Sequence, residues 1–287
     1  MVFHDNPNIY AKSVTLKVSD LEKSLLFYKE VIGFSITSQE KKKAALHAGA
    51  GEAFLFLEEL DLVEPKTMRT TGLYHFAILV PSRQHLGMIV THLLETGYPL
   101  QGASDHAVSE AIYLADPDGN GIEIYRDRNS TEWEWEGDFV RMDTAYMDTK
   151  GVLAAASNFP WNGLPEGTIL GHIHLHVAEL EETVDFYVKG LGFEVVLQYG
   201  EQAFFLSTGR YHHHIGLNVW NGIGAPVPKK NQVGLAYYDL KIPSVEKLEE
   251  IKQRLIVLGA TVTEEEDSWH TCDPSGNMIR LITTLKR

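Results

Sequence analysis

One internal repeat constrains this chain more than any other feature. Val18-Ser-Asp-Leu-Glu-Lys-Ser-Leu-Leu-Phe-Tyr-Lys-Glu-Val-Ile-Gly-Phe34 returns as Val177-Ala-Glu-Leu-Glu-Glu-Thr-Val-Asp-Phe-Tyr-Val-Lys-Gly-Leu-Gly-Phe193. A match this long marks a duplicated structural unit. Each copy reads as the end of a strand, an acidic helix start at Asp20 or Glu179, a helix with an aromatic pair, and a glycine turn. Negative charge at a helix start suits the dipole. The pairs Phe27-Tyr28 and Phe186-Tyr187 read as core residues.

A second unit is also present twice. Gly72-Leu-Tyr-His-Phe-Ala-Ile-Leu-Val-Pro-Ser82 aligns with Gly234-Leu-Ala-Tyr-Tyr-Asp-Leu-Lys-Ile-Pro-Ser244, and Asp116-Pro-Asp-Gly-Asn120 with Asp273-Pro-Ser-Gly-Asn277. The order is therefore A-B-A-B, over about 9–64, 72–128, 169–222 and 232–285. Each unit reads as strand, helix and roughly three strands, which makes the class α+β. An N-terminal half, 1–128, and a C-terminal half, 169–287, are joined by an ordered crossover at 129–168 that is rich in Trp, Asp and Glu. The acidic run Glu264-Glu265-Glu266-Asp267 reads as a solvated loop.

The turn Asp116–Gly121 predicts a hairpin between Ala111–Ala115 and Ile122–Tyr125. Period 2 sets Glu123 on the face opposite Ile122 and Ile124. A carboxylate in so apolar a strand is costly to bury without a positive partner. Composition narrows what that partner is. The single cysteine, Cys272, rules out a disulfide framework or thiolate cluster within the chain and fits a reducing cytosol. Thirteen histidines supply the nitrogen ligands instead. A net charge of −14 argues against a nucleic-acid partner. No apolar run reaches the roughly 18 residues of a membrane span, and the first residues do not read as a signal peptide.

Four βαβββ units in series resemble the vicinal oxygen chelate (glyoxalase/bleomycin resistance) superfamily. Within it the chain is similar to the type I extradiol, or catechol 2,3-, dioxygenases. The resemblance covers all but the linker. It implies units pairing into two open β-barrels, one of which holds a metal through first and last strands of its units. Carried over residue by residue, it implies His75 and Glu123 from the second unit as ligands. From the third it implies His172, or failing that His174 or His176, with the latter two otherwise solvent-facing. The first unit offers Ser13, and the fourth Tyr237 and Arg280, none of them suited to the task. Units two and three should then pair, within one chain or between chains, leaving one and four as a structural barrel.

A 2-His-1-carboxylate set is the signature of a non-haem Fe(II) centre with open positions, with Mn(II) or Zn(II) as alternatives. The resemblance also implies a histidine and a tyrosine ahead of the glutamate. His106 and Tyr113 answer to these, Tyr113 lying ten residues before Glu123 and facing the same side. It further implies an acid/base histidine in Arg210-Tyr-His-His-His-Ile-Gly-Leu-Asn-Val219. Strand alternation would put His212 and His214 on one face and His213 on the other. Alignment on Ile-Gly-Leu favours His213, and a slip of one residue favours His212 or His214.

The leading expectation is an Fe(II)-dependent extradiol dioxygenase, cytoplasmic and homo-oligomeric, acting on a small aromatic diol and O₂. The alternatives are a non-redox glyoxalase-, epimerase- or thiol-transferase-like metal enzyme with His214 as a fourth ligand, and a metal-free binding protein of the same fold.

Overall fold

The structure is a computed structural model that describes residues 3–157, 159–265 and 268–283. All four units have the same build. The first runs from strand Tyr10–Val18 through helix Leu21–Leu26 to strands Ser35–Gln39, Lys43–His47 and Ala53–Glu59. The second comprises strand Gly72–Leu79, helix Arg83–Thr96 and strands Gly102–Asp105, Ser109–Ala115 and Gly121–Asp127. In the third, strand Ile169–His176 and helix Leu180–Asp185 precede strands Glu194–Tyr199, Ala203–Ser207 and Ile215–Asn218. The fourth contains strand Gly234–Lys241, helix Val245–Val257 and strands Val262–Glu265, Ser268–Cys272 and Met278–Ile282. Glu264 and Glu265 thus end a strand with exposed side chains, whereas Glu266 and Asp267 lie outside the described residues.

The repeated helices share an irregularity. Each widens into a π-helical turn over its aromatic pair, Phe27–Ile32 or Phe186–Leu191, and stops at a left-handed glycine, Gly33 or Gly192. The wider turn buries both aromatics, and Tyr28 and Tyr187 are fully enclosed. Each tyrosine then reaches the turn of the next unit. The Tyr28 hydroxyl donates to Asp116 Oδ2 at 2.8 Å, and that of Tyr187 to Asp273 Oδ2 at 3.3 Å. The same aspartates organise their turns, since Asp116 Oδ1 accepts from the amides of Asp118 and Asn120 and Asp273 Oδ1 from those of Ser275 and Asn277.

Sheet pairing follows a different rule from chain order. One eight-stranded sheet joins the first unit to the fourth, and a second joins the third to the second, both within one chain. The joints are antiparallel pairs of first strands, Tyr10–Val18 with Gly234–Lys241 and Gly72–Leu79 with Ile169–His176. This is the α+β architecture of the vicinal oxygen chelate fold. No helix among the described residues is long and apolar enough to cross a membrane.

The segment after Asp127 closes one edge of the second sheet. Asp105 and Ala145 exchange backbone hydrogen bonds at 2.9 Å, so the chain near Asp143 runs along the edge strand Gly102–Asp105. Asp148 caps helix Thr149–Ala155 through Gly151 N, and Arg83 Nη2 donates to Asp148 Oδ2 at 3.0 Å. That helix packs closely on Arg83–Thr96, and a Cβ added at Gly87 would lie 2.2 Å from the Val152 carbonyl oxygen. Rigid backbone cannot yield, so Gly87→Ala should cost about 1–3 kcal/mol of stability through overpacking. Urea unfolding measures it, and an unchanged midpoint would refute the tight docking.

Candidate metal centre and its cavity

Strand Gly121–Asp127 runs parallel to Gly72–Leu79 and sets Glu123 beside Ala77. Across the antiparallel joint, Ala77 faces His172 and His75 faces His174. Directly paired residues project to the same side, so His75, Glu123, His172 and His174 share one face of the sheet. The expected hairpin forms, slightly longer than read, as Ser109–Ala115 with Gly121–Asp127, and Tyr113 pairs directly with Glu123.

His75 Nε2 lies 3.0 Å and His172 Nε2 3.3 Å from Glu123 Oε2, with all three side chains almost wholly buried. One ligand atom from each lies within 4.8 Å of those of the other two, and this is the group of metal-ligand type found among the described residues. His75 Nε2, despite its closeness to the carboxylate, makes no hydrogen bond. Of the two histidines, His172 Nε2 alone makes a hydrogen bond to the carboxylate, a long one at 3.3 Å, and His75 Nε2 is left without a partner among the described residues, which fits a shared cation better than a closed polar network.

The electrostatics agree. Burial opposes charge on Glu123, yet His172 and His75 beside it outweigh that and hold its carboxyl well below the usual range. Burial lowers His172 to about 4, against the pull of Glu123, and so keeps it in the neutral form that ligates. An ionised carboxylate is thus enclosed where an unpaired charge is expensive.

A cavity of about 690 Å³ opens over this group, within the usual range for a small-molecule site. His75 and Glu123 reach its wall, and His172 lies just behind. Tyr74, Phe205 and Trp220 form an aromatic part of the lining. His106 and Tyr113 also line it, joined by a 2.6 Å hydrogen bond between His106 Nε2 and the Tyr113 hydroxyl. His106 Nδ1 lies 2.7 Å from the Asp143 carbonyl, which can only accept. Neutral His106 therefore carries its proton on Nδ1 and accepts from Tyr113 at Nε2.

The histidine triple is divided, with His213 at the cavity and His212 and His214 both against Tyr211. His212–His214 lie in irregular chain ahead of strand Ile215–Asn218, so period 2 does not govern them. His213 lines the cavity, with its ring centroid 4.0 Å from that of His172. His212 is buried behind it, 2.8 Å from Asp127 through Nε2. His214 is turned elsewhere, its Nε2 donating to the Phe3 carbonyl at 3.2 Å and its ring packed against His4 and Tyr211. It is not brought to the cavity, where a fourth ligand would have to stand.

His174 and His176 also differ from expectation, for both are buried. Period 2 places them on the face of His172, and that face is covered. His174 lines the cavity, and its Nε2 has no hydrogen-bond partner among the described residues. Residues the sequence did not flag include Asp127, Trp133 beside His212, and Met142–Thr144 on the cavity wall.

In the other sheet the corresponding positions hold an ion pair. Arg280, at the place of Glu123, donates from Nε and Nη2 to Asp239 at 2.6 and 2.7 Å. Ser13 donates to the same carboxylate at 2.6 Å, and the guanidinium lies over the Tyr237 ring.

The model of the Glyoxalase/Bleomycin resistance protein/Dioxygenase superfamily matches residues 11–124 and 169–281. The chain belongs to this superfamily. A superfamily relative, the catechol-2,3-dioxygenase of Bacillus subtilis (strain 168), is 44% identical over 285 residues, spanning 97% of this chain and 98% of that protein. Among solved structures, a candidate dioxygenase from Bacillus subtilis superposes with a TM-score of 0.66 at 13% identity, covering 96% of this chain and 85% of that one. Glyoxalase I from Zea mays does so at 0.60 and 16% identity, covering 96% and 92%. At such identities the structural likeness concerns the superfamily fold alone.

The buried histidines carry a consequence for pH. Burial depresses His172, His174, His213 and His214 below their ordinary value of 6.5. Their neutral forms are favoured by folding, so the unfolded chain binds more protons as pH falls below 6.5. Metal-free protein should lose stability from pH 6.5 towards 4, each group adding a slope of up to about 1.4 kcal/mol per pH unit. Urea midpoints at pH 7, 6 and 5 test this, and a flat profile would contradict it.

Proposed function

We propose that this chain is an Fe(II)-dependent extradiol dioxygenase that cleaves the ring of catechol or a substituted catechol. The observation that carries the reading is the convergence of His75, Glu123 and His172 beneath a cavity lined by His213, Tyr113 and His106. The full-length likeness to a protein named catechol-2,3-dioxygenase supports it.

The three side chains would hold the metal as a 2-His-1-carboxylate set, leaving positions open on one side. Ferrous iron bound there would supply chelation of the catecholate and a place for O₂ beside it. The chain's own residues do the rest. Burial keeps His213 neutral at neutral pH, so it has a bare ring nitrogen that can take a proton from a catechol hydroxyl and later return it. Tyr113 and His106, already locked to each other, orient the substrate from another part of the wall. Tyr74, Phe205 and Trp220 offer faces for a planar ring and shield the centre from water.

Anaerobic loading with Fe(II), followed by catechol and air, should give O₂ uptake and a new visible absorbance from a 2-hydroxymuconic semialdehyde-type product. Absence of uptake with several catechols would sink the proposal. His75→Ala and Glu123→Ala should lose both bound iron and activity. His213→Asn should retain iron yet lower kcat by about 10²–10⁴-fold, the usual scale for a lost general base. An iron content that His75→Ala leaves unchanged would remove His75 from the ligand set.

A further inference from the structure

Behind His213 runs a chain of hydrogen bonds, buried at the histidines and part-exposed at Asp127, that the proposed chemistry has not used. His213 Nδ1 and His212 Nδ1 face each other at 2.9 Å. His212 Nε2 lies 2.8 Å from Asp127 Oδ1. The Tyr211 hydroxyl donates to Asp127 Oδ2 at 3.1 Å, and the Tyr125 hydroxyl lies 2.7 Å from that of Tyr211. The His212 ring is fully buried, packed by Tyr211 and Trp133, and cannot turn freely.

We propose that Asp127 and His212 are positioning residues for His213, fixing it as its Nδ1–H tautomer with the Nε2 lone pair left to the cavity. A carboxylate only accepts, so His212 must donate to Asp127 from Nε2. Neutral His212 then has a bare Nδ1. The one proton between the two facing nitrogens therefore belongs to His213. His213 Nε2 is bonded by no group among the described residues, and the ring lines the cavity. Reversal of the first link would reverse every link after it, and would leave a donor where the reaction needs a base.

The arrangement also accounts for charge. When a substrate hydroxyl gives its proton to Nε2, His213 becomes a cation with its Nδ1–H still directed at His212. Asp127, one ring away, supplies the counter-charge. When Nε2 returns the proton, the chain is restored with none gained or lost. Asp127 stands four residues after Glu123 on the same strand, so period 2 puts it on the same face. One short strand thus carries both the candidate ligand and the anchor of the base.

This inference rests on His213 as the proposed acid/base group, and its test separates the two. Nitrogen-15 spectra of labelled histidines, recorded on the full chain with diamagnetic Zn(II), distinguish protonated from bare ring nitrogens. The His212 and His213 signals are assigned by their loss in His212→Asn and His213→Asn. The expected pattern is His213 protonated on Nδ1 and His212 on Nε2. Asp127→Asn, whose amide can also donate, should disturb both tautomers. In the Fe(II) form it should lower kcat at least about tenfold with KM changed less than threefold and iron content unchanged. Where a carboxylate touches the catalytic histidine directly, such a change costs about 10⁴-fold; the intervening ring makes the loss here smaller. Asp127→Glu should keep the wild-type tautomers. A wild-type His213 protonated on Nε2 overturns the proposal, and so does Asp127→Asn with unchanged spectra and kcat within twofold. If wild-type protein takes up no O₂ with any catechol, the functional reading fails, while the spectra still decide the tautomers.

Discussion

Everything at the candidate centre depends on one antiparallel joint, that between Gly72–Leu79 and Ile169–His176. Its register sets His75 opposite His174 and Ala77 opposite His172, and the parallel neighbour then places Glu123 beside Ala77. A slip of one residue would send the histidines of one strand to the far face. Register is held by the apolar residues between them. Phe76, Ile78, Ile173 and Leu175 are buried on the other side of the sheet, so any slip would expose core.

Much of this was legible in the sequence, for identifiable reasons. Repetition of Val18–Phe34 and of the Asp116 and Asp273 turns fixes the four-unit build, because turn and helix chemistry is local. The loss of ligand-type residues at Tyr237 and Arg280 pointed to the pairing of the second and third units, because an Arg cannot stand in for a Glu at a cation site. What escaped was non-local or irregular. His106 owes its tautomer to the backbone carbonyl of Asp143, and a carbonyl leaves no mark in a sequence. His212–His214 lie in irregular chain just ahead of strand Ile215–Asn218, so strand periodicity alone does not say which of them meets the cavity. His174 and His176 read as substitutes for His172 that would otherwise meet solvent, although the period that placed His172 places them on its covered face.

The twin sheet fills the equivalent positions differently. Arg280, where Glu123 stands in the other sheet, is half-buried, and Asp239, at the place of Ala77, neutralises it through two hydrogen bonds. Ser13 and Tyr237 complete the cluster from the remaining ligand places. The polar groups satisfy one another, in contrast to His75 Nε2 and His174 Nε2 in the other sheet, which have no hydrogen-bond partners among the described residues. The same scaffold therefore holds a closed network on one side and an open one on the other.

The crosswise pairing of units also bears on how the chain is made. Each eight-stranded sheet takes four strands from the first half of the sequence and four from the second. While a ribosome builds the second half, at about 5–20 residues per second, the first half has Tyr10–Val18 and Gly72–Leu79 as raw sheet edges with no partner. Such edges invite pairing with neighbouring chains. Gly72–Leu79 waits on the order of 5–20 s for Ile169–His176, and Tyr10–Val18 on the order of 10–45 s for Gly234–Lys241, so exposure to aggregation lasts longest at the outer seam.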